Sequence, residues 1–313
     1  MKKGWKYRLM CGCVAMVMAG AGPAAVYADE VSQAAVQDAL ADGTLTEAEI
    51  NAYFDGSVFV GDSVMMGFRN YAMNRGGDLL GRMQFLTAVS FSVYNSLQPV
   101  SAKSVHPIFM GQQRPVWESL ALMQAKKVFL FFGLNDMNMG SLESTCARYN
   151  QLIANIKLTC PDAEIHLMSM TYVKQGSGKG NLTNPNIRVF NELLKQMALQ
   201  NGWGFVDIAT PLADANGDLA AGYCSDNYVH QTIAAYDVWS VVLQEYARAQ
   251  LTGTSAFPIG GQKAPEEAAA AEETNTLDGQ AEETQAEGTA EAPRVIRLED
   301  RDGQNGPGGS EGN

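Results

Sequence analysis

One stretch limits the fold of this chain more than any other: a short apolar run that ends at a turn, with a helix pattern on the far side. Val58, Phe59 and Val60 are strand formers, and Gly61-Asp62-Ser63 follows them directly. Such an unbroken run fits a strand buried on both faces, as in a parallel sheet. Glycine lets the chain turn there without a Cβ clash, and Asp62 and Ser63 are both suited to opening a helix. Met66, Phe68 and Tyr71 then give an apolar side to a helix over 63–74. The alternation repeats along the chain. Residues 84–90, 127–132, 164–169 and 204–208 read as four more strands. Helices are predicted over 118–124, 141–158 and 233–251, and another is marked by Ile187, Phe190, Leu194 and Met197. Strands alternating with helices over 57–257 predict an α/β domain around a mainly parallel five-stranded sheet.

The flanks differ in kind. Four basic residues, Lys2, Lys3, Lys6 and Arg8, precede an apolar run from Leu9 to Ala25, and Val26-Tyr27-Ala28 offers small residues for cleavage. The pattern predicts a signal peptide over 1–28, cut after Ala28, because Gly20, Gly22 and Pro23 interrupt a run already short for a bilayer span. The protein is therefore expected outside the cytoplasm, with no stable membrane insertion after cleavage. Residues 29–56 predict a helical extension, with Thr46 and Glu49 in a capping-box pattern. From 258 to 313 the composition turns acidic and low in complexity. Residues 262–313 carry 13 acidic against 4 basic side chains and almost no aromatics, so disorder is expected.

Charge and cysteine content exclude several functions. The formal charge is −12, and removal of the four basic residues of the leader takes it to −16. That balance disfavours nucleic acid and anionic membrane surfaces. Past the leader only Cys146, Cys160 and Cys224 remain, so no disulfide framework is implied, and no Cys/His spacing resembles a zinc site. Gly176-Ser177-Gly178-Lys179-Gly180 lacks the spacing of a phosphate-binding loop and predicts a rim loop instead. No cofactor or metal is expected.

Three loop positions carry the chemistry. Ser63 follows the first strand and Asn135, in Gly133-Leu134-Asn135-Asp136, follows the third. His230 stands just before the last helix, with Asp226 and Asn227 shortly upstream. Parallel strands share one carboxyl edge, so the three can converge there as nucleophile, oxyanion donor and base for acyl transfer. His106, in the long segment from Val93 to Trp117, is predicted to lie at the surface, with substrate contact as the alternative, and His166, inside a strand, to belong to the core.

On these residues the chain resembles the GDSL family of SGNH hydrolases. Gly61-Asp62-Ser63 matches the first family block, Gly133-Leu134-Asn135-Asp136 the third, and Asp226 to His230 approximates the last. The resemblance covers about two hundred residues, from Ser57 to Leu251. It implies a three-layer α/β/α sandwich of flavodoxin-like type, a Ser63 nucleophile and a His230 base. It also implies an oxyanion hole from the Ser63 N–H, the Asn135 side chain and a loop after the second strand. The family supplies that loop N–H from a glycine; here Ser90 is the positional match. The family's acid lies three residues before the histidine, where this chain has Asn227, while Asp226 lies four before. Asp226 is taken as the acid, with Asn227 as the alternative.

The expected function is a secreted serine esterase, monomeric, acting on small acyl and foremost O-acetyl esters of a carbohydrate. Two other readings stand beside it. A lipid-directed esterase or acyltransferase would use Met65, Met66 and Phe68 as an acyl pocket, although their spacing equally suits a core. A non-catalytic glycan-binding or interaction protein would keep the fold without the chemistry.

Overall fold

The computed structural model describes residues 45–76 and 79–260. The predicted leader, most of the 29–56 extension and the acidic tail beyond Gly260 lie outside the described residues.

Five strands form the sheet: β1 (Ser57–Gly61), β2 (Gln84–Thr87), β3 (Lys127–Phe131), β4 (Glu164–Met168) and β5 (Gly204–Val206). Their order is β2-β1-β3-β4-β5 and every pairing is parallel. The fold is thus the predicted three-layer α/β arrangement. The chain leaves β1 for one edge and then returns to the other side of β1. This reversal puts a crevice at the carboxyl ends of β1 and β3, the usual ligand position in open α/β sheets.

Among the described residues seven α-helices accompany the sheet: α1 (Glu47–Ala52), α2 (Ser63–Asn74), α3 (Val93–Ser96), α4 (Val116–Leu122), α5 (Leu142–Thr159), α6 (Asn184–Asn201) and α7 (Ile233–Thr252). α7 packs with α1 and α2, while α5 packs with α3, α4 and α6. α1 opens with the predicted capping box: the Thr46 side chain accepts from the Glu49 N–H, and Glu49 accepts from the Thr46 N–H. Its Ile50 and the following Phe54 are buried in the main core, so this part of the extension is packed into the domain.

The central strands are buried throughout, which explains why they read as continuous apolar runs rather than alternating ones. In register across β1, β3 and β4 stand Phe59, Phe129 and His166. Their rings stack, Phe59 on Phe129 at 4.5 Å between centroids and Phe129 on His166 at 4.3 Å. His166 is fully buried and its Nδ1 lies 2.7 Å from the Tyr246 hydroxyl; burial holds its pKa below the ordinary histidine value. It belongs to the core, as predicted.

Two regions depart from expectation. β2 ends at Thr87 rather than at residue 90, because the chain turns at once and Ser90 takes a positive φ of 56°. The segment from Val93 to Trp117 is more ordered than its prolines suggest. It contains α3 and a small antiparallel pair, Ile108–Phe109 with Gln112–Gln113.

Candidate active site

The turn after β1 leaves no room for any residue but glycine at 61. A Cβ there would lie 2.7 Å from both Met65 Cβ and the Phe131 carbonyl oxygen of the neighbouring strand. Asp62 then caps α2, its Oδ1 accepting from the Val64 N–H at 2.9 Å. Ser63 is the first residue of α2, where a helix N–H has no intrahelical carbonyl to meet. Its side chain stays partly exposed while Val64, Met65 and Phe68 are buried in the core. Of the three residues named for an acyl pocket, Met65 and Phe68 are thus core residues, while Met66 stays partly exposed.

Ser63 Oγ lies 3.0 Å from His230 Nε2, and His230 Nδ1 lies 2.5 Å from Asp226 Oδ2. The three side chains make one hydrogen-bonded relay. The other oxygen of Asp226 accepts from the backbone N–H groups of Tyr228, Val229 and His230, at 2.8, 3.0 and 3.1 Å. One carboxylate therefore folds the loop and orients the imidazole. Asn227 takes the left-handed turn this requires, with φ 60°, and its Oδ1 accepts from Lys174 Nζ at 2.6 Å. It does not reach His230, so of the two upstream candidates Asp226 is the one beside the ring. Burial opposes ionisation of Asp226, but the hydrogen bonds from His230 and the loop N–H groups outweigh it and bring its pKa down to about 2.

The three expected oxyanion donors differ in readiness. The Ser63 N–H sits at the positive end of α2. Ser90 is exposed, and its N–H donates to no protein group among the described residues. Asn135 Nδ2 already donates to Asp62 Oδ2 and to the Phe91 carbonyl, each at 3.1 Å. One of those bonds must yield for the amide to reach an oxyanion. The φ of Ser90 lies where glycine is favoured, at a cost for other residues of about 1–2 kcal/mol. Ser90→Gly is expected to raise stability by up to about 1 kcal/mol while turnover is kept. Urea unfolding and an acetyl-ester assay check this, and a destabilised variant would contradict it.

Behind these residues lie two buried carboxyls. Asp136 accepts from the Val93 N–H at 2.8 Å and the Gly133 N–H at 2.9 Å, tying the loop after β3 to the start of α3. Burial raises the pKa of Asp62 and of Asp136 to about 7 against their N–H donors, and Asp62 adds to the rise at Asp136. Each therefore holds its proton to a higher pH in the folded state than in an unfolded chain, which releases it near pH 4. Stability from this source is full below pH 4 and is lost as pH rises towards 7. Asp136→Asn removes one such contribution. Between pH 4.5 and 6.5 the parent protein is expected to lose about 1.4 kcal/mol per pH unit more than the variant, read by urea unfolding. Parallel pH profiles would refute the assignment.

His106 is not at the surface as predicted but buried, its Nε2 3.1 Å from the Gln98 carbonyl, because the loop from Val93 to Trp117 folds over it. Among the described residues no three His, Cys, Asp or Glu side chains gather to hold a metal. The predicted rim loop at 176–180 lies within a segment, 174–182, whose bridging role no local pattern encodes. The Lys174 N–H donates to the Tyr228 carbonyl at 2.9 Å, and Asn138 Nδ2 to the Lys179 carbonyl at 3.2 Å. This segment thereby bridges the loops that carry His230 and Asn135.

The profile of the GDSL-like Lipase/Acylhydrolase family matches residues 59–238. No curated protein sequence matches the chain. Solved structures with a similar backbone include a provisionally assigned platelet activating factor from Streptococcus pneumonia. It is 20% identical with a TM-score of 0.48, over 68% of this chain and 99% of that one. A GDSL-like lipase from Bacteroides thetaiotaomicron is 14% identical with a TM-score of 0.44, over 71% and 98%. An acetylxylan esterase from Geobacillus stearothermophilus is 14% identical with a TM-score of 0.43, over 61% and 93%.

Proposed function

This chain belongs to the GDSL-like lipase/acylhydrolase family and is an ester hydrolase; from that premise we propose that it removes small acyl groups, foremost acetyl, from a carbohydrate outside the cell. The observation that carries the reading is the relay from Ser63 Oγ through His230 to Asp226.

In this reading Ser63 Oγ attacks the ester carbonyl as its proton passes to His230 Nε2, and Asp226 steadies the imidazolium. The carbonyl oxygen becomes an oxyanion held by the N–H groups of Ser63 and Ser90 and by Asn135 Nδ2, which leaves one of its present acceptors. Each such donor contributes about 3 kcal/mol in the transition state. Collapse expels the alcohol, which takes its proton from His230, and leaves an acyl-enzyme on Ser63. Water then repeats the sequence, releasing the acid and restoring the serine.

The extracellular setting rests on the leader pattern over 1–28. Exposure supports a polymer-borne ester: the His230 side chain is 46% accessible and that of Asp226 34%, so the reacting centre lies at the surface. The test is incubation of the purified protein with a serine-directed phosphonate and with a chromogenic acetyl ester. Hydrolysis together with labelling of Ser63 alone is expected; folded protein that does neither overturns the proposal.

A further inference from the structure

We propose that Lys174 and Lys179 form a cationic subsite in the wall of the catalytic cleft, one that takes a carboxylate carried by the alcohol portion of the ester. The inference rests on the esterase reading above and narrows its substrate to an acidic one, such as an acetylated uronic acid unit.

Both lysines are fixed to the loop that presents His230. Lys174 Nζ donates to Asn227 Oδ1 at 2.6 Å, and Lys179 Nζ lies 4.1 Å from the centre of the Tyr228 ring. Asn227 and Tyr228 are three and two residues from His230, whose Nε2 meets Ser63. The backbone between the lysines is held as well, by Tyr228 on one side and by Asn138 on the other, Asn138 Oδ1 also accepting from the Asn181 N–H at 2.7 Å. A segment carrying two positive charges thus links the histidine loop to the loop of Asn135.

The charges of this segment are not spent inside the protein. Among the described residues neither ammonium has a carboxylate within 4.0 Å, although the chain carries 34 acidic residues against 22 basic ones. The partners they do have are a neutral amide oxygen and an aromatic face. These hold an ammonium in place without cancelling its charge. Each retains N–H donors for a ligand, and a carboxylate is the natural complement to two ammonium groups on one wall. An acetyl ester bearing such a group would be drawn to the cleft and oriented with its carbonyl towards Ser63.

The test compares two acetyl esters of equal shape, 4-acetoxybenzoate, which is anionic, and 4-acetoxybenzamide, which is neutral. The readout is the ratio of their kcat/KM values, in the full chain and in Lys174→Met/Lys179→Met. The unmodified protein is expected to favour the anionic ester. The double variant should lose about tenfold of that ratio, mostly through KM, and Lys174→Arg/Lys179→Arg should keep it. Salt at about 0.5 M should shrink the preference in the unmodified protein and the arginine variant but leave the methionine variant unchanged. An unchanged ratio in the methionine variant overturns the subsite, including the case in which both rates fall together because the loop has loosened. Hydrolysis of the neutral ester without any preference sinks this inference alone. Hydrolysis of neither ester sinks the esterase reading, and the subsite with it.

Discussion

Ser63→Ala is expected to lower turnover of a chromogenic acetyl ester by about 10⁶-fold, the scale of losing a triad nucleophile in a serine hydrolase. The magnitude follows from the geometry. Ser63 Oγ is 3.0 Å from the base and stands on a helix start whose glycine neighbour admits no Cβ. Removing the hydroxyl leaves the oxyanion donors and the binding surface but no atom to attack. The variant should fold, since among the described residues the Ser63 side chain makes no hydrogen bond besides the one to His230. Circular dichroism checks the folding, and stopped assays over long incubation check the residual rate. A variant retaining more than about a hundredth of the parent rate would mean that another group attacks the ester.

Asp226→Asn should cost about 10⁴-fold in turnover, because a neutral amide neither fixes the required tautomer of His230 nor stabilises its cation. Asn227→Ala is expected to cost far less. Its side chain is bonded to Lys174 and it contributes a left-handed backbone turn, which alanine adopts less readily than asparagine. The comparison of the two variants at saturating substrate is decisive. Equal losses would mean that loop geometry, and not charge at the imidazole, sets the rate.

Much of the fold was legible because the central strands are buried on both faces and so cannot hide in a mixed pattern. Val58–Val60 and Val128–Phe131 declare themselves by composition alone. The end of β2 was harder to place. Nothing in Ala88-Val89-Ser90 announces a turn, since serine is no usual occupant of a positive φ, and the propensity of Val89 favours a longer strand. The short helix α3 was also hidden. Ser92 caps it locally, but a carboxyl group forty-three residues away, on Asp136, accepts from the Val93 N–H.

The site divides in the same way. Ser63, Asn135 and His230 could be placed because each follows a strand or precedes a helix, and the topology then brings them to one edge. The choice between Asp226 and Asn227 rested on the conformation of a five-residue turn, which spacing alone does not fix. The double engagement of Asn135 and the wall of Lys174 and Lys179 depend on contacts between loops far apart in the chain. No local pattern encodes them.

The carboxylate of Asp226 does two things at once, and this ties catalysis to a local opening equilibrium. Three consecutive amides, at Tyr228, Val229 and His230, are protected by a single oxygen whose twin holds the imidazole. An excursion that frees those amides to exchange hydrogen with solvent also releases the imidazole. Their common exchange rate therefore reads out the fraction of molecules in which the relay is assembled, and the observed rate of catalysis scales with that same population.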